Sequence, residues 1–232
     1  MADVDNVVAS VRSGLETGFV VNDERVVFEG GDESGFTVIE ADVSMAGRPE
    51  ARESSADVDE ASAADEHMPI LFAQVKGGMP GVVCVAVRDG KLLLARHWRF
   101  ATDSYEWEFP RSMGMKGMTA GAVAEEELLR ETGLRASSRR ILQSVHADSC
   151  KLRDSIAVVE LAVDGQPVDG GVGASGAGAI DADGGRIPAE SRDSRLVWLS
   201  EEEIAEMIAA GDIMDCITLA AYLIWRTRRS AE

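Results

Sequence analysis

Residues 107–134 read WEFPRSMGMKGMTAGAVAEEELLRETGL, and the second half of this stretch predicts an amphipathic helix over 119–131. Thr119 stands where an N-cap hydroxyl accepts from the first turn, and Gly133 where a left-handed residue ends the last. Glu127 and Glu131 are four apart, so both carboxylates leave the helix on one face. Two such groups repel unless a cation lies between them. Mg²⁺ or Mn²⁺ suits oxygen ligands of this kind, and a divalent ion there can polarise a phosphate and activate water against a phosphoanhydride bond. In an arbitrary sequence the run EEE would be only a solvated helix face.

Outward from this helix the signals stay orderly. GVVCVAV, then Asp89-Gly90, then KLLLARHW is a pair of strands around a hairpin turn. VVFEG and FTVIEADV, near residues 26–43, read as earlier strands, and SIAVVELAV and SRLVWLS as later ones. Ser200 and Glu203 form a capping box that opens a helix ending at Gly211. Asp212 or Asp215 then starts a last helix running to about Arg228. One helix after a central hairpin and two closing the chain describe a mixed domain of strands and helices.

Two segments interrupt this order. Residues 46–67, AGRPEARESSADVDEASAADEH, are acidic and rich in alanine and serine, and cannot bury enough apolar surface to fold alone. Residues 164–185, DGQPVDGGVGASGAGAIDADGG, predict a flexible glycine-rich loop. The chain thus divides into N-terminal strands at 1–45, the acidic insertion at 46–67, and a principal domain at 68–232 that carries the glycine-rich loop.

A net charge of -18 repels polyanions, and the basic runs Arg139-Arg140 and 226–229 are too short to reverse that, so a nucleic acid is not an expected partner. Cys84, Cys150 and Cys216 are widely spaced and odd in number, which argues against a disulfide framework and a zinc site and for a reducing compartment. His67, His97 and His146 are scattered, and each reads as structural or exposed. The start MADVDNVVASVRSG lacks the pattern of a signal peptide, and a cytoplasmic location is expected. IMDCITLAAYLIW is shorter than the ~20 apolar residues of a membrane span. Its apolar residues Ile213, Ile217, Ala220, Ala221 and Ile224 recur at helical spacing, as in a core helix.

The stretch at 107–134 resembles the box of the Nudix hydrolase family, G-x5-E-x7-R-E-U-x-E-E-x-G-U with U a bulky aliphatic. The lead-in Trp107-Glu108-Phe109-Pro110 is similar to the ADP-ribose pyrophosphatase branch of that family and spaces onto the Glu-Thr-Gly-Leu ending without a gap. The likeness extends to LLLARHWRF before the box, QSVHADSC after it, and VWLSEEEIAEMIAAGDIMDCITLAAYLIW at the end, so it covers most of residues 26–228 outside the two insertions. It implies a Nudix α/β/α sandwich with a mixed β-sheet, a Mg²⁺ or Mn²⁺ cofactor, a nucleoside diphosphate derivative as ligand, and a homodimer formed through the N-terminal strands.

Position by position the box is degenerate. Ser112 stands at its first glycine, Met118 at its first glutamate, Glu126 at its arginine and Arg130 at the first of its paired glutamates, while Glu127, Leu128, Glu131, Gly133 and Leu134 match. Of the three carboxylates that hold metal in the family, Glu127 and Glu131 remain. Glu126 and Arg130 carry the family's arginine and glutamate with signs exchanged, in the favourable order for a helix pair worth roughly 0.2–0.5 kcal/mol. Glu126 is a weaker candidate for the missing ligand, being displaced about a turn from position 130.

The resemblance implies further site residues. The backbone carbonyl of Arg111, just before the box glycine, corresponds to a metal ligand. Arg96 and Arg99 are candidates to clamp ligand phosphates, or else surface strand arginines. Trp98 is a candidate to approach a base or sugar. Glu108 is a candidate for a second metal or a substrate group, or for fixing its loop, and Glu190 for the catalytic base. Two functions follow: a metal-dependent hydrolase cutting the pyrophosphate of ADP-ribose or a related compound, or a nucleotide-binding or regulatory module on the same fold.

Overall fold

Valines and phenylalanines at 19–28 and 36–43 favour extended chain. In the computed structural model, which describes residues 19–31, 35–45, 67–165 and 196–230, they form β1 (Phe19–Glu29) and β2 (Phe36–Met45). These pair antiparallel, with register shifts at Val21/Asp23 and Val26/Phe28, and β3 (Met68–Val75) completes a three-stranded sheet in the order β1-β2-β3. Arg25 on β1 donates to Glu40 on β2 at 2.9 and 2.7 Å. Every residue of β1 is exposed, among them Phe19, Val20, Val21, Val26, Val27 and Phe28. Of the described residues, 19–29, 37–45 and 67–73, which hold most of this sheet, form one compact unit and the others a second.

The second unit begins with β4 (Gly81–Arg88) and β5 (Lys91–Arg99), joined at Asp89-Gly90. Both turn residues have positive φ, 52° and 75°, as a two-residue turn matching strand twist requires. Then come β6 (Ser104–Glu108), β7 (Arg111–Ser112), α1 (Ala120–Thr132), β8 (Ser138–Val145), β9 (Ile156–Ala162), β10 (Leu196–Leu199), α2 (Glu201–Ala210) and α3 (Cys216–Arg229). The sheet runs β10-β5-β4-β9-β8, with β6 on β5 and β7 on β4. β4 and β9 are parallel and the other pairs antiparallel, so the sheet is mixed.

β4 is apolar at both strand parities, and both of its faces are covered. Val82, Cys84 and Ala86 join Leu93, Val159 and Leu161 beneath Val123, Ala124 and Leu128 of α1. Val83 and Val85 join Leu92, Leu94 and Val158 on the opposite face, against Ile204 of α2 and Ala221, Tyr222 and Trp225 of α3. This unit is therefore layered helix, sheet, helices.

The helix ends lie where their capping residues place them. Thr119 Oγ1 accepts from the Ala122 amide at 3.3 Å, and Gly133, at φ 73°, donates its N–H to the Leu129 carbonyl at 2.9 Å. Ser200 and Glu203 exchange hydrogen bonds at 3.2 and 2.7 Å, and Gly211 ends α2 at φ 81°. Asp215 caps α3, accepting from the Thr218 amide at 2.8 Å. The apolar stretch at 213–225 enters this helix, and no helix among the described residues is long and apolar enough to cross a membrane. Four strands go beyond the sequence expectation: β3, β6, β7 and β8. Nearly all of the acidic insertion and of the glycine-rich loop lies outside the described residues.

Candidate functional site

Seating Val123, Ala124 and Leu128 on the sheet turns the following residues of α1 toward its edge. Glu127 is thereby 1% exposed. A carboxylate so buried requires a partner, and Arg130 provides it: Nη2 lies 2.5 Å from Oε1, and Nε donates to Oε2 at 3.2 Å. The Ser112 hydroxyl, which donates to the Met113 carbonyl at 3.2 Å, also lies in hydrogen-bonding reach of Glu127. Burial raises the pKa of Glu127, and the guanidinium and hydroxyl only partly oppose it. Burial alone would lower that of Arg130, but Glu127, followed by the charges of Glu131 and Glu126, more than offsets this and the net shift is upward.

The expected pairing of Arg130 with Glu126 is thus corrected to include a grip on Glu127. Residues three apart are helix neighbours as much as residues four apart, and the buried carboxylate has the greater need of a counter-charge. Glu126 faces solvent and acts on Arg130 through its charge.

One turn on, Glu131 meets a histidine that the sequence reading took as structural or exposed. His97 Nε2 lies 2.6 Å from Glu131 Oε1, yet the two are not aligned as a hydrogen bond, and this buried oxygen has no hydrogen-bond partner. Strand parity was the available signal for His97. Leu93 faces α1, so Ala95, His97 and Arg99 on β5 face the same way. Across the ladder stand Glu108, Glu106 and Ser104. Glu106, also absent from the sequence reading, is buried; its Oε1 accepts from Ser104 at 2.6 Å and its Oε2 has no partner.

Glu108 is 1% exposed and held by two arginines. Arg99 donates through Nε to Oε1 at 2.8 Å and through Nη2 to Oε2, while Arg111 Nη2 donates to Oε1 at 3.3 Å. Arg111 Nη1 reaches Asp215 Oδ1 at 3.2 Å, Asp215 Oδ2 accepts from Thr218 Oγ1 at 2.7 Å, and Thr218 Oγ1 accepts from the Phe109 amide at 3.2 Å. Glu108 and Arg111 therefore tie the loop before α1 to the start of α3.

Arg96 and Arg99 are three apart on a strand and fall on opposite faces. The Arg96 guanidinium lies over Tyr105 and Trp107, 4.8 and 5.8 Å from the ring centroids, and its buried Nε has no hydrogen-bond partner. Trp98 meets Tyr105 edge to face at 5.0 Å. The structure thus brings Glu127, Glu131 and His97 together, joins Arg99 to Glu108 and Arg111, and keeps Arg96 and Trp98 on the other side of the sheet. Glu190 lies outside the described residues.

Ser112, at the position of a box glycine, shows no positive φ. The close approach comes two residues later: a Cβ on Gly114 would meet the Pro80 carbonyl oxygen at 2.2 Å. Met118, where the box has a glutamate, is partly exposed ahead of α1.

Among the described residues no three or more His, Cys, Asp or Glu side chains are gathered as a metal-binding group. Mg²⁺, however, commonly takes one or two carboxylates and completes its shell with water and substrate phosphates. Glu131 offers a buried oxygen lacking a hydrogen bond, and Glu127 is engaged by a side chain that is 41% exposed and has a path to solvent. These residues fit an ion that shares its shell with a phosphate. They do not fit one enclosed by protein alone.

No family model matches the chain, and no curated protein matches it in sequence. Among solved structures, the crystal structure of an ADP compounds hydrolase is similar, with a TM-score of 0.63 and 15% identity over 92% of this chain and 95% of that one. A likeness at this identity shows the fold. It is the expected one, an α/β/α sandwich of Nudix type around a mixed sheet.

Proposed function

We propose that the chain is a Nudix-type hydrolase that cleaves the pyrophosphate bond of ADP-ribose or a related nucleoside diphosphate derivative, with Mg²⁺ or Mn²⁺. The observation that carries this reading is the pair Glu127 and Glu131 on the inner face of α1, the first buried and the second facing the His97 imidazole at 2.6 Å. The likeness of fold to an ADP compounds hydrolase supports the substrate class.

Glu127 and Glu131 are the residues that would hold the ion, together with the Arg111 carbonyl. When bound, such an ion supplies polarisation of the phosphate oxygens and a more acidic water. The chain's own part is to position. Leu128 seats the helix, His97 stands against Glu131, and the Glu108–Arg111–Asp215 linkage fixes the loop that enters α1. Arginines at 99, 111 and 130 offset the acidic charge locally, as an anionic ligand on a chain of charge -18 requires. The proposal extends to Arg99 and Glu108 at the ligand, Glu190 as base, and a homodimer through the N-terminal strands; Arg96, a candidate phosphate clamp, and Trp98, a candidate base or sugar contact, lie on the other face of the sheet from Glu127 and Glu131 and have no part in it.

A second reading, a binding or regulatory module without turnover, is favoured by one observation: Arg130 holds Glu127 where the family resemblance places a third acid. Turnover of ADP-ribose, nucleotide sugars and dinucleoside polyphosphates with Mg²⁺ or Mn²⁺ separates the two. Hydrolysis of one of these, abolished by Glu131→Gln, is the expected result. Saturable binding with no turnover of any would replace the first reading by the second.

A further inference from the structure

Two acids of this site are already paired by the chain's own arginines. Glu108 is held by Arg99 and Arg111, and Glu127 by Arg130. Any ion that uses Glu127 must therefore compete with a guanidinium three residues away on the same helix. The two ends of that pair differ in their surroundings. Glu127 is almost fully buried and cannot leave without lifting α1, whereas Arg130 is 41% exposed and rotates out on flexible bonds. Of the pair, Arg130 is the mobile partner.

Displacing it has an electrostatic consequence. With Arg130 swung out and no ligand present, a divalent ion gains Glu127 and Glu131 but costs a buried ion pair and leaves its remaining coordination to water. With a diphosphate present, the released guanidinium gains two acceptor oxygens in the fork geometry it had on the carboxylate, and the ion gains phosphate oxygens. Each event lowers the cost of the other. That is a coupling free energy between two ligands, and it is reciprocal.

We propose that Arg130 is a built-in cation that occupies Glu127 until a diphosphate draws it away, so that divalent metal and diphosphate bind this chain jointly and each only weakly alone. The inference rests on the nucleotide-diphosphate reading of the site and adds to it a metal competitor carried by the chain itself.

The test is Mn²⁺ binding to the full chain, followed by electron paramagnetic resonance and calorimetry, with and without the α,β-methylene analogue of ADP-ribose. Glu127→Gln serves as the control for Mn²⁺ held by the free analogue. In the wild type, Mn²⁺ is expected to bind about tenfold tighter when the analogue is present. Arg130→Gln is expected to bind Mn²⁺ alone about tenfold tighter than the wild type and to lose most of the analogue's effect, and Arg130→Lys to fall between. Unfolding midpoints establish that each variant is folded. If Arg130→Gln is unfolded, Arg130→Lys decides by the same comparison. Equal Mn²⁺ affinity in the wild type and the folded variant overturns the proposal, even if the analogue binds. Failure of the analogue to bind any form, with Mn²⁺ tighter in the variant, overturns the nucleotide reading and the joint binding while leaving Arg130 as a metal competitor.

Discussion

Arg130 and Glu127 stand three residues apart on α1, one half exposed and the other 1% exposed, with Nη2 2.5 Å from Oε1. The pair sets a buried charge inside the layer between helix and sheet. Burial of this kind is a cost in stability that a functional site can carry.

The raised pKa of Glu127 fixes the sign of a pH effect. The folded chain holds this proton more tightly than the unfolded chain, so the contribution of Glu127 to stability declines as pH rises above the ordinary value of 4.5 and through the raised one. Glu127→Gln removes that decline. Thermal midpoints followed from mildly acidic to neutral pH should fall less steeply in the variant, with a separation of a few °C at about 2–4 °C per kcal/mol. Parallel curves would show that the carboxyl is not perturbed.

At Gly114 the backbone itself is the constraint. A Cβ there meets the Pro80 carbonyl oxygen at 2.2 Å, so Gly114→Ala must shift a loop that leads into α1. A loss of about 1–3 kcal/mol in chemical unfolding is expected. Ser112→Gly, at the position where the family box has its glycine, should change stability by less than 1 kcal/mol, roughly the range of backbone entropy effects. The reverse ranking would mean that the close approach is elsewhere.

Removing Glu108 leaves Arg99 and Arg111 facing each other without their shared carboxylate. Glu108→Ala should cost about 3–5 kcal/mol, as breaking a buried ion pair does. Glu108→Gln, which keeps the shape and one acceptor, should cost less. If both are neutral in unfolding and only ligand affinity changes, Glu108 serves the ligand and not the loop.

Val21 and Val26 are 56% and 58% exposed on an edge strand whose whole length is exposed. An apolar edge of this kind is a template for pairing with another chain. The chain is expected to sediment as a dimer, and Val21→Glu with Val26→Glu to give a monomer with the same helix content. A monomeric wild type would remove the dimer proposal.

Much of this architecture was legible because local chemistry and global fold agree. Asp89-Gly90 demands positive φ at both turn positions, Thr119 and Gly133 mark a helix at each end, and Ser200 with Glu203 does so again. What escaped was set by pairing across space. β6 reads SYEWE and β8 SRRILQSV, and neither has an apolar run that would identify a strand before its neighbour is known. The site divides in the same way. Helical spacing puts Glu127 and Glu131 on one face and the family resemblance singles them out, but the grip of Arg130 on Glu127 depends on which carboxylate is buried, a tertiary fact. His97 and the separation of Arg96 from Arg99 were recoverable from strand parity alone, once Leu93 was known to face α1.

Cys84 lies under all of this. Its sulfur donates to the Ala124 carbonyl of α1 at 3.5 Å, and burial, followed by the charges of Glu127 and Glu131, pushes its pKa well above the usual thiol value. Cys150 and Cys216 are exposed. An alkylating reagent should therefore modify two thiols promptly and the third only when the helix parts from the strand beneath it. The chain contains its own clock for that opening, and metal or ligand that bridges Glu127 and Glu131 should slow it.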